Sequence, residues 1–494
     1  MGKNSFFLID SKPHNFLLIL ILGCFFFTTL ATSQIIYLDY PYVMDEYNYL
    51  VQAKIFSTGH LTIPIKELPI SLVDYFFIHH EGHIFSKYPP LFSMILALGV
   101  IVGAPIVVNP YICLLFLICL YNIIERHSSK IIAICTLAIV ASNPYFLGYA
   151  SSYFSQPLSL LLTTLAFLIA SQIDMRSNQS LYLLGLVLGL HIANRPLDAF
   201  CSAIACLYLT FLHRKSYVAI LKPLSIMCCG LFILCGYNWV ISGKFSFSTY
   251  PILNAEFKVI YPEANGLFNG LSLFVAEYKS SLIKNLWPLV TTQYFYYMGV
   301  ILPLIAVVGL ISTLKEKLTV SLILHVFLLL TLYNFHNSQG WPQYGARYYY
   351  PTWIGLGVLT AFGLKFLSEK FLFKSDKKTR LLALTSITFL VVSFQIFSQL
   401  SFLEKYANRF EFVKLFHREL SKSCNPKDIV AFKYKSWARN VSTSFLGPID
   451  FVRNGNGEND YLFVLNSTDL ASAKQSYPER SVCKFAFPKF RLKE

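Results

Sequence analysis

Two adjacent carboxylates, Asp45 and Glu46, follow the first strongly apolar segment in the stretch "PYVMDEYNYLVQAKIF". A carboxylate there can take a proton from an attacking hydroxyl. The spacing predicts a helix with Met44, Tyr47, Val51 and Ile55 as its apolar stripe and Asp45, Asn48 and Gln52 as a polar row; Pro41 suits its first turn. Such a helix is expected to lie flat on a membrane surface. Neighbouring helical residues point about 100° apart, so one carboxylate is expected to be chemical and the other supporting.

Further along, "FFIHHEGHIFSKYPPLF" holds His79, His80, Glu81, His83, Lys87 and Tyr88. His80-Glu81-Gly82-His83 is one residue short of the zinc-protease helix, and Gly82 weakens a helix there, so protease chemistry is set aside. A looser divalent-metal site stays open as a cofactor reading. Histidines and a lysine near lipid headgroups are the plainer alternative.

Two arginines stand beside apolar runs, where a guanidinium is costly and usually has work to do. They are Arg195 in "HIANRPLDAF" and Arg347 in "GWPQYGARYYYPTW". Each could anchor a helix end. Together with Lys87 on one side of a membrane, they form a receptor suited to a lipid phosphate. His80, His83, Tyr88 and Tyr344 are further candidates for contacting substrate.

The elements that must position these residues are membrane helices. Of 494 residues, 55% are hydrophobic and 14% charged, and the mean hydropathy is +0.52. So few charges cover a globular surface poorly, which excludes an ordinary soluble domain. The net charge of +15 sits largely in short loops between apolar segments, so it reads as an orientation signal and not as a nucleic-acid surface.

About eleven spans are expected, at about 20 residues each: 15–37, 109–124, 131–149, 157–173, 181–194, 197–213, 221–241, 291–313, 318–335, 347–368 and 381–401. The first is read as a retained helix, since no cleavage motif follows it. The stretch Pro90–Val108, broken by Gly99, Gly103 and Pro105, reads as a re-entrant or interfacial piece.

With that choice, loops 125–130, 174–180, 213–222, 315–317 and 368–380 share the side of the N-terminus. The segment "SEKFLFKSDKKTR" holds five basic residues against two acidic, so this side is expected to be cytoplasmic. Asp45, Lys87, Arg195 and Arg347 then gather on the outer side.

Two domains are expected. Residues 1–401 form the membrane domain, including the outer loop 38–89. Residues 402–494, richer in charge and turn residues, form a small α/β domain outside the membrane. Nine of the eleven cysteines lie in apolar segments as small core residues. The other two, Cys424 and Cys483, are a candidate disulfide in an oxidising compartment.

The order of the "DE" pair after the first helix, "YPPLF", "NRPLDA" and "GARYYYP" resembles polyprenyl-phosphate-sugar-dependent glycosyltransferases of the GT-C fold. In pattern it is most similar to the protein O-mannosyltransferase and lipid A aminoarabinose transferase group, over about residues 15–401. The resemblance implies a polytopic helical membrane protein of about 11–13 transmembrane helices. It implies inverting transfer of a hexosyl or pentosyl group from a polyprenyl-phosphate sugar to a lipid, glycan or protein acceptor on the outer face, as at a bacterial plasma membrane. Carried over to this sequence, Asp45 is the catalytic aspartate, Glu46 its companion, and Lys87, Arg195 and Arg347 hold the donor phosphate. Where relatives often carry another acid after the third helix, this chain has "YASSYFSQP", with Ser155 and Gln156.

Two other readings remain at this stage. A ligase or polymerase of lipid-linked oligosaccharides would take a diphosphate-linked donor. A polyprenyl-lipid flippase or transporter would show internal repeats and polar groups at mid-membrane, and no repeat is evident.

Overall fold

In the computed structural model, the described residues are 12–37, 39, 41, 44–64, 77–172, 178–249, 301–333, 347–370, 376–425, 428–432, 462–464, 474–475 and 478–485. Tyr344, most of the loop after residue 242 and the "RNGNGEND" turn lie outside them.

Helix α1, Lys12–Ala31, runs through one π-helical turn to Ile36. Helix α2 spans Met44–Ser57, followed by strands β1 (Ile63–Pro64), β2 (Phe77–His80) and β3 (His83–Ser86). These strands form an antiparallel sheet in the order β1-β3-β2. Glu81 and Gly82 both take positive φ in the two-residue turn joining β2 to β3, the conformation that tight hairpins favour. His80 and His83 therefore face each other across a hairpin.

Helix α3, Pro90–Ile101, begins on Pro90 and is followed two residues past its end by Gly103, whose φ is +73°. The break foreseen in this apolar stretch thus falls where glycine supplies a left-handed residue. Then come α4 (Val108–His127), α5 (Lys130–Ala141), α6 (Pro144–Ala150), α7 (Gln156–Ser171), α8 (Gln179–Asn194), α9 (Pro196–Arg214) and α10 (Val218–Ser242). After the undescribed segment follow α11 (Ile301–Ser312), α12 (Lys317–Tyr333), a 3-10 turn at Arg347–Thr352, α13 (Trp353–Lys370) and α14 (Lys377–Ser423).

The protein is a multi-pass membrane protein. Five described helices are long and apolar enough to cross a bilayer: His14–Ile36, Pro105–His127, Pro196–Arg214, Val218–Ser242 and Lys378–Leu400. The span expected at 131–149 is instead bent by 71° between α5 and α6. Asn143 makes the break: its side chain accepts from the amides of Tyr145 and Phe146 and caps a new helix that starts on Pro144. Five further described helices, among them α7, α8 and α12, are apolar but shorter.

Small residues let the helices approach closely. Gly230 of α10 meets the backbone of Gly189 on α8, and Gly309 of α11 meets that of Leu359 on α13. An aromatic cluster joins α6 to the segment after Arg347: Phe146 stacks on Tyr350, Tyr145 on Trp353, and the Tyr350 hydroxyl donates to the Phe146 carbonyl at 3.1 Å.

The last apolar span does not end its helix at residue 401, for α14 continues to Ser423. The residues beyond the apolar run are mostly good helix formers, and hydropathy cannot mark where such a helix stops. A parallel sheet follows in the order β5-β4-β6, built from Ile429–Phe432 (β4), Leu462–Val464 (β5) and Val482–Phe485 (β6). A disulfide joins Cys424, just past α14, to Cys483 on β6, with their Cα atoms 5.7 Å apart.

Candidate active site

Helix α2 does not lie on a surface. Tyr47, Val51 and Ile55 pack against Phe77 and Ile84 of the hairpin, while Asp45, Glu46, Asn48 and Gln52 are buried as well. The polar row is buried because it meets protein groups instead of water. Gln52 accepts from the Ser86 amide at 2.7 Å and donates to the Leu61 carbonyl at 3.0 Å. Asn48 accepts from the Ser86 hydroxyl, which also takes the Tyr88 amide at 3.0 Å. A pattern of polar and apolar faces reports two environments, and here the polar one is the backbone and hydroxyl at the end of β3. These bonds set the chain at Ser86, and so deliver Lys87 and Tyr88 beside Asp45.

At the head of the row, Asp45 is ion-paired with Arg347 and accepts from the Tyr88 hydroxyl at 2.5 Å. Tyr88 stacks on Tyr49 of α2 at 4.7 Å. The Lys87 ammonium lies 5.2 Å from the centre of the Tyr88 ring, and the Lys87 carbonyl accepts from Thr249. Asp45, Lys87 and Arg347 therefore share one partly desolvated site outside the spanning helices.

Burial alone would raise the Asp45 pKa, but Arg347, Lys87 and the Tyr88 hydrogen bond hold it below the usual value. Lys87 is pushed down to about 8 by burial, with Arg347 acting in the same direction and Asp45 opposing. Burial also lifts the Tyr49 phenol to about 12, which keeps it protonated. Asp45 is thus an anion held by fixed partners, and Lys87 is a cation whose charge is weakened by burial.

Arg195 stands in an adjoining cluster. It occupies the extended residue between α8 and α9, where Pro196 opens the second helix. Its Nε donates to Asp198 at 2.7 Å and its Nη2 to the Tyr333 hydroxyl at 2.9 Å, while that hydroxyl donates to the other Asp198 oxygen. Its Nη1 reaches toward the Ser155 hydroxyl at 3.4 Å, and Ser155 meets the Tyr49 hydroxyl at 2.9 Å. Tyr348 joins the clusters, for the guanidinium carbons of Arg195 and Arg347 lie 5.8 and 5.1 Å from the centre of its ring.

Ser159, His191 and Asp198 have the residue types of a hydrolytic triad, but not its order. Ser159 donates to Asp198 at 2.6 Å and meets His191 Nε2 at 2.9 Å, so the serine stands between the other two. An activated serine needs the imidazole in the middle, with its far nitrogen oriented by the acid. His191 Nδ1 has no hydrogen-bond partner among the described residues.

The other expected site residues fall elsewhere. Glu46 is buried on a different bearing from Asp45, within electrostatic reach of Tyr149 on α6. His80 and His83 sit at the hairpin turn, three residues along β3 from Ser86 at its site end. For a metal, the described residues bring together Cys424, Asp428 and Cys483, whose two sulfurs are already joined to each other. Asp198, Tyr333 and Tyr348 were missed. An acid within an apolar helix is itself a signal for Asp198, and Tyr348 adjoins Arg347, but nothing in the sequence singles out Tyr333.

No family model matches the sequence, and no curated protein matches it. The chain has the GT-C fold, seen in solved structures that it resembles along most of its length. ArnT from Cupriavidus metallidurans in the apo state is 11% identical, with a TM-score of 0.54 over 95% of this chain and 89% of that one. ArnT bound to undecaprenyl phosphate is 10% identical, with a TM-score of 0.55 over 96% and 90%. The Archaeoglobus fulgidus oligosaccharyltransferase in its apo form is 11% identical, with a TM-score of 0.48 over 93% of this chain and 65% of that one.

Proposed function

We propose that the protein is a membrane glycosyltransferase that moves a hexosyl or pentosyl group from a polyprenyl-phosphate sugar to an acceptor hydroxyl outside the cytoplasm. The observation that carries this reading is the ion pair of Asp45 with Arg347, set beside Lys87 and Tyr88 in a GT-C frame. The neighbouring structure of ArnT with undecaprenyl phosphate supports a lipid monophosphate as the donor's carrier.

In this reading the acceptor oxygen attacks the anomeric carbon, and Asp45 takes its proton. The bond from that carbon to the phosphate oxygen breaks, and its electron pair leaves with the polyprenyl phosphate. Lys87 and Arg347 stabilise the charge that gathers there, in a site already partly free of water. Arg195 adds the Nη1 edge that meets Ser155. A single displacement from the opposite side inverts the anomeric centre. The acceptor is a lipid, a glycan or a protein, and the positive-inside pattern of the loops supports placing the site on the outer face of a plasma membrane, with the small C-terminal domain on the same side.

The test is transfer by purified protein from a polyprenyl monophosphate sugar and from a diphosphate-linked oligosaccharide, together with mass spectrometry of the co-purifying lipid. Transfer from the monophosphate donor supports the reading. Exclusive use of the diphosphate donor would make the protein a ligase or polymerase, and lipid movement without transfer would make it a flippase.

A further inference from the structure

The geometry points to Tyr333 and Asp198 as positioning residues that present one chosen edge of Arg195 to the donor phosphate; the inference rests on the function proposed above. A guanidinium offers five N–H groups from three nitrogens and can turn about its long side chain. In this protein the side formed by Nε and Nη2 is consumed internally. Nε goes to one oxygen of Asp198, Nη2 goes to the Tyr333 hydroxyl, and that hydroxyl closes the ring on the second Asp198 oxygen.

Asp198 is itself held from behind by the Ser159 hydroxyl, and Ser159 by His191. Both Asp198 and His191 are fully buried. The acid therefore has no aqueous alternative, and the ring is the arrangement that satisfies it.

What remains is Nη1, with the second N–H of Nη2 beside it. Nη1 faces Ser155 and, through it, Tyr49, which is stacked on the Tyr88 that bonds Asp45. The contact with Ser155, at 3.4 Å, is long and easily exchanged for a phosphate oxygen. Tyr333 also stacks on Tyr348 at 4.8 Å and 11°, so one tyrosine both fixes the guanidinium through its hydroxyl and backs the ring shared by Arg195 and Arg347.

This arrangement alters the electrostatics of the receptor. Arg195 and Asp198 cancel, as do Arg347 and Asp45, so the donor phosphate meets two internally balanced arginines and the titrating Lys87. Arg195 contributes direction more than net charge, and its direction is set by Tyr333 and Asp198.

The experiment uses full-length protein in detergent, with undecaprenyl phosphate as the binding probe and a polyprenyl monophosphate sugar for kinetics. Tyr333→Phe keeps the ring and its stacking while removing only the hydroxyl. It should raise the Kd for undecaprenyl phosphate and the donor KM together by about tenfold and leave the acceptor KM unchanged. Asp198→Asn is the second variant and should show a larger loss of the same kind.

In an Arg195→Lys background, either change should cost less than about twofold, because the group being positioned is gone. Equal losses in both backgrounds, or losses that track the melting temperature, would overturn the positioning role. Failure of wild-type protein to bind undecaprenyl phosphate at all would instead overturn the proposed donor, and the positioning role with it.

Discussion

Asp45 and Arg347 come from opposite ends of the membrane domain in sequence, yet they form an ion pair buttressed by the Tyr88 hydroxyl. The base of the proposed reaction and a ligand for its leaving group therefore hold each other. In the proposed reaction a donor phosphate sharing Arg347 would leave the carboxylate more basic, as its counter-charge is divided between the two anions.

Asp45→Asn removes the base, keeps the shape and releases Arg347. Turnover should fall by about a hundredfold or more, while undecaprenyl phosphate binds at least as tightly as it does to wild type. Parallel binding and single-turnover measurements separate the two effects. Near-wild-type turnover would dismiss Asp45 as the base. Glu46→Gln should be milder, since Glu46 is directed elsewhere.

Lys87 supplies a pH dependence whose sign follows from its lowered pKa of about 8. Below that value the amine is protonated and attracts phosphate; above it the amine is neutral. Affinity for undecaprenyl phosphate should therefore fall as pH rises through about 8, and the bound phosphate should move the midpoint upward. Lys87→Arg keeps its charge throughout and should abolish the fall. A wild-type affinity that stays flat between about pH 7 and about pH 9 contradicts the assignment.

A Cβ at Gly309 would strike the Leu359 carbonyl oxygen, and one at Gly363 the Ile305 carbonyl oxygen. Both are backbone atoms, so neither neighbour can swing aside. Gly309→Ala should cost about 1–3 kcal/mol, read as a lower melting temperature and loss of monodisperse protein. An unchanged melt would mean that α11 and α13 do not pack this closely.

Sidedness can be read with single cysteines in a cysteine-replaced background, at the exposed positions Lys215 and Ser421. An impermeant maleimide applied to intact cells should label position 421 and spare 215. Labelling of 215 from outside would reverse the proposed orientation and move the site to the cytoplasmic side.

Charges placed in apolar sequence were the legible part of this protein. Asp45 stands out as one of two adjacent carboxylates after the first apolar segment and Arg347 as a guanidinium beside an apolar run, and the structure places them together with Lys87. The GT-C frame was legible through the order of four short motifs. The surroundings of α2 were not, because the row Asp45–Asn48–Gln52 has the same spacing whether its partner is water or the end of β3. The bend at Asn143 was hidden because both flanks are apolar, and hydropathy does not register a capping side chain. Tyr333 could not be found, since its role depends on how far α12 lies from the turn at Arg195.

The bond between Cys424 and Cys483 closes a covalent ring that takes in β4, β5 and the first half of β6. A protease that nicks the chain inside this ring cannot release a fragment until the bridge is reduced. The sheet would stay fastened to α14, and its loss from the membrane after a nick would report the arrival of a reductant, not the cut itself.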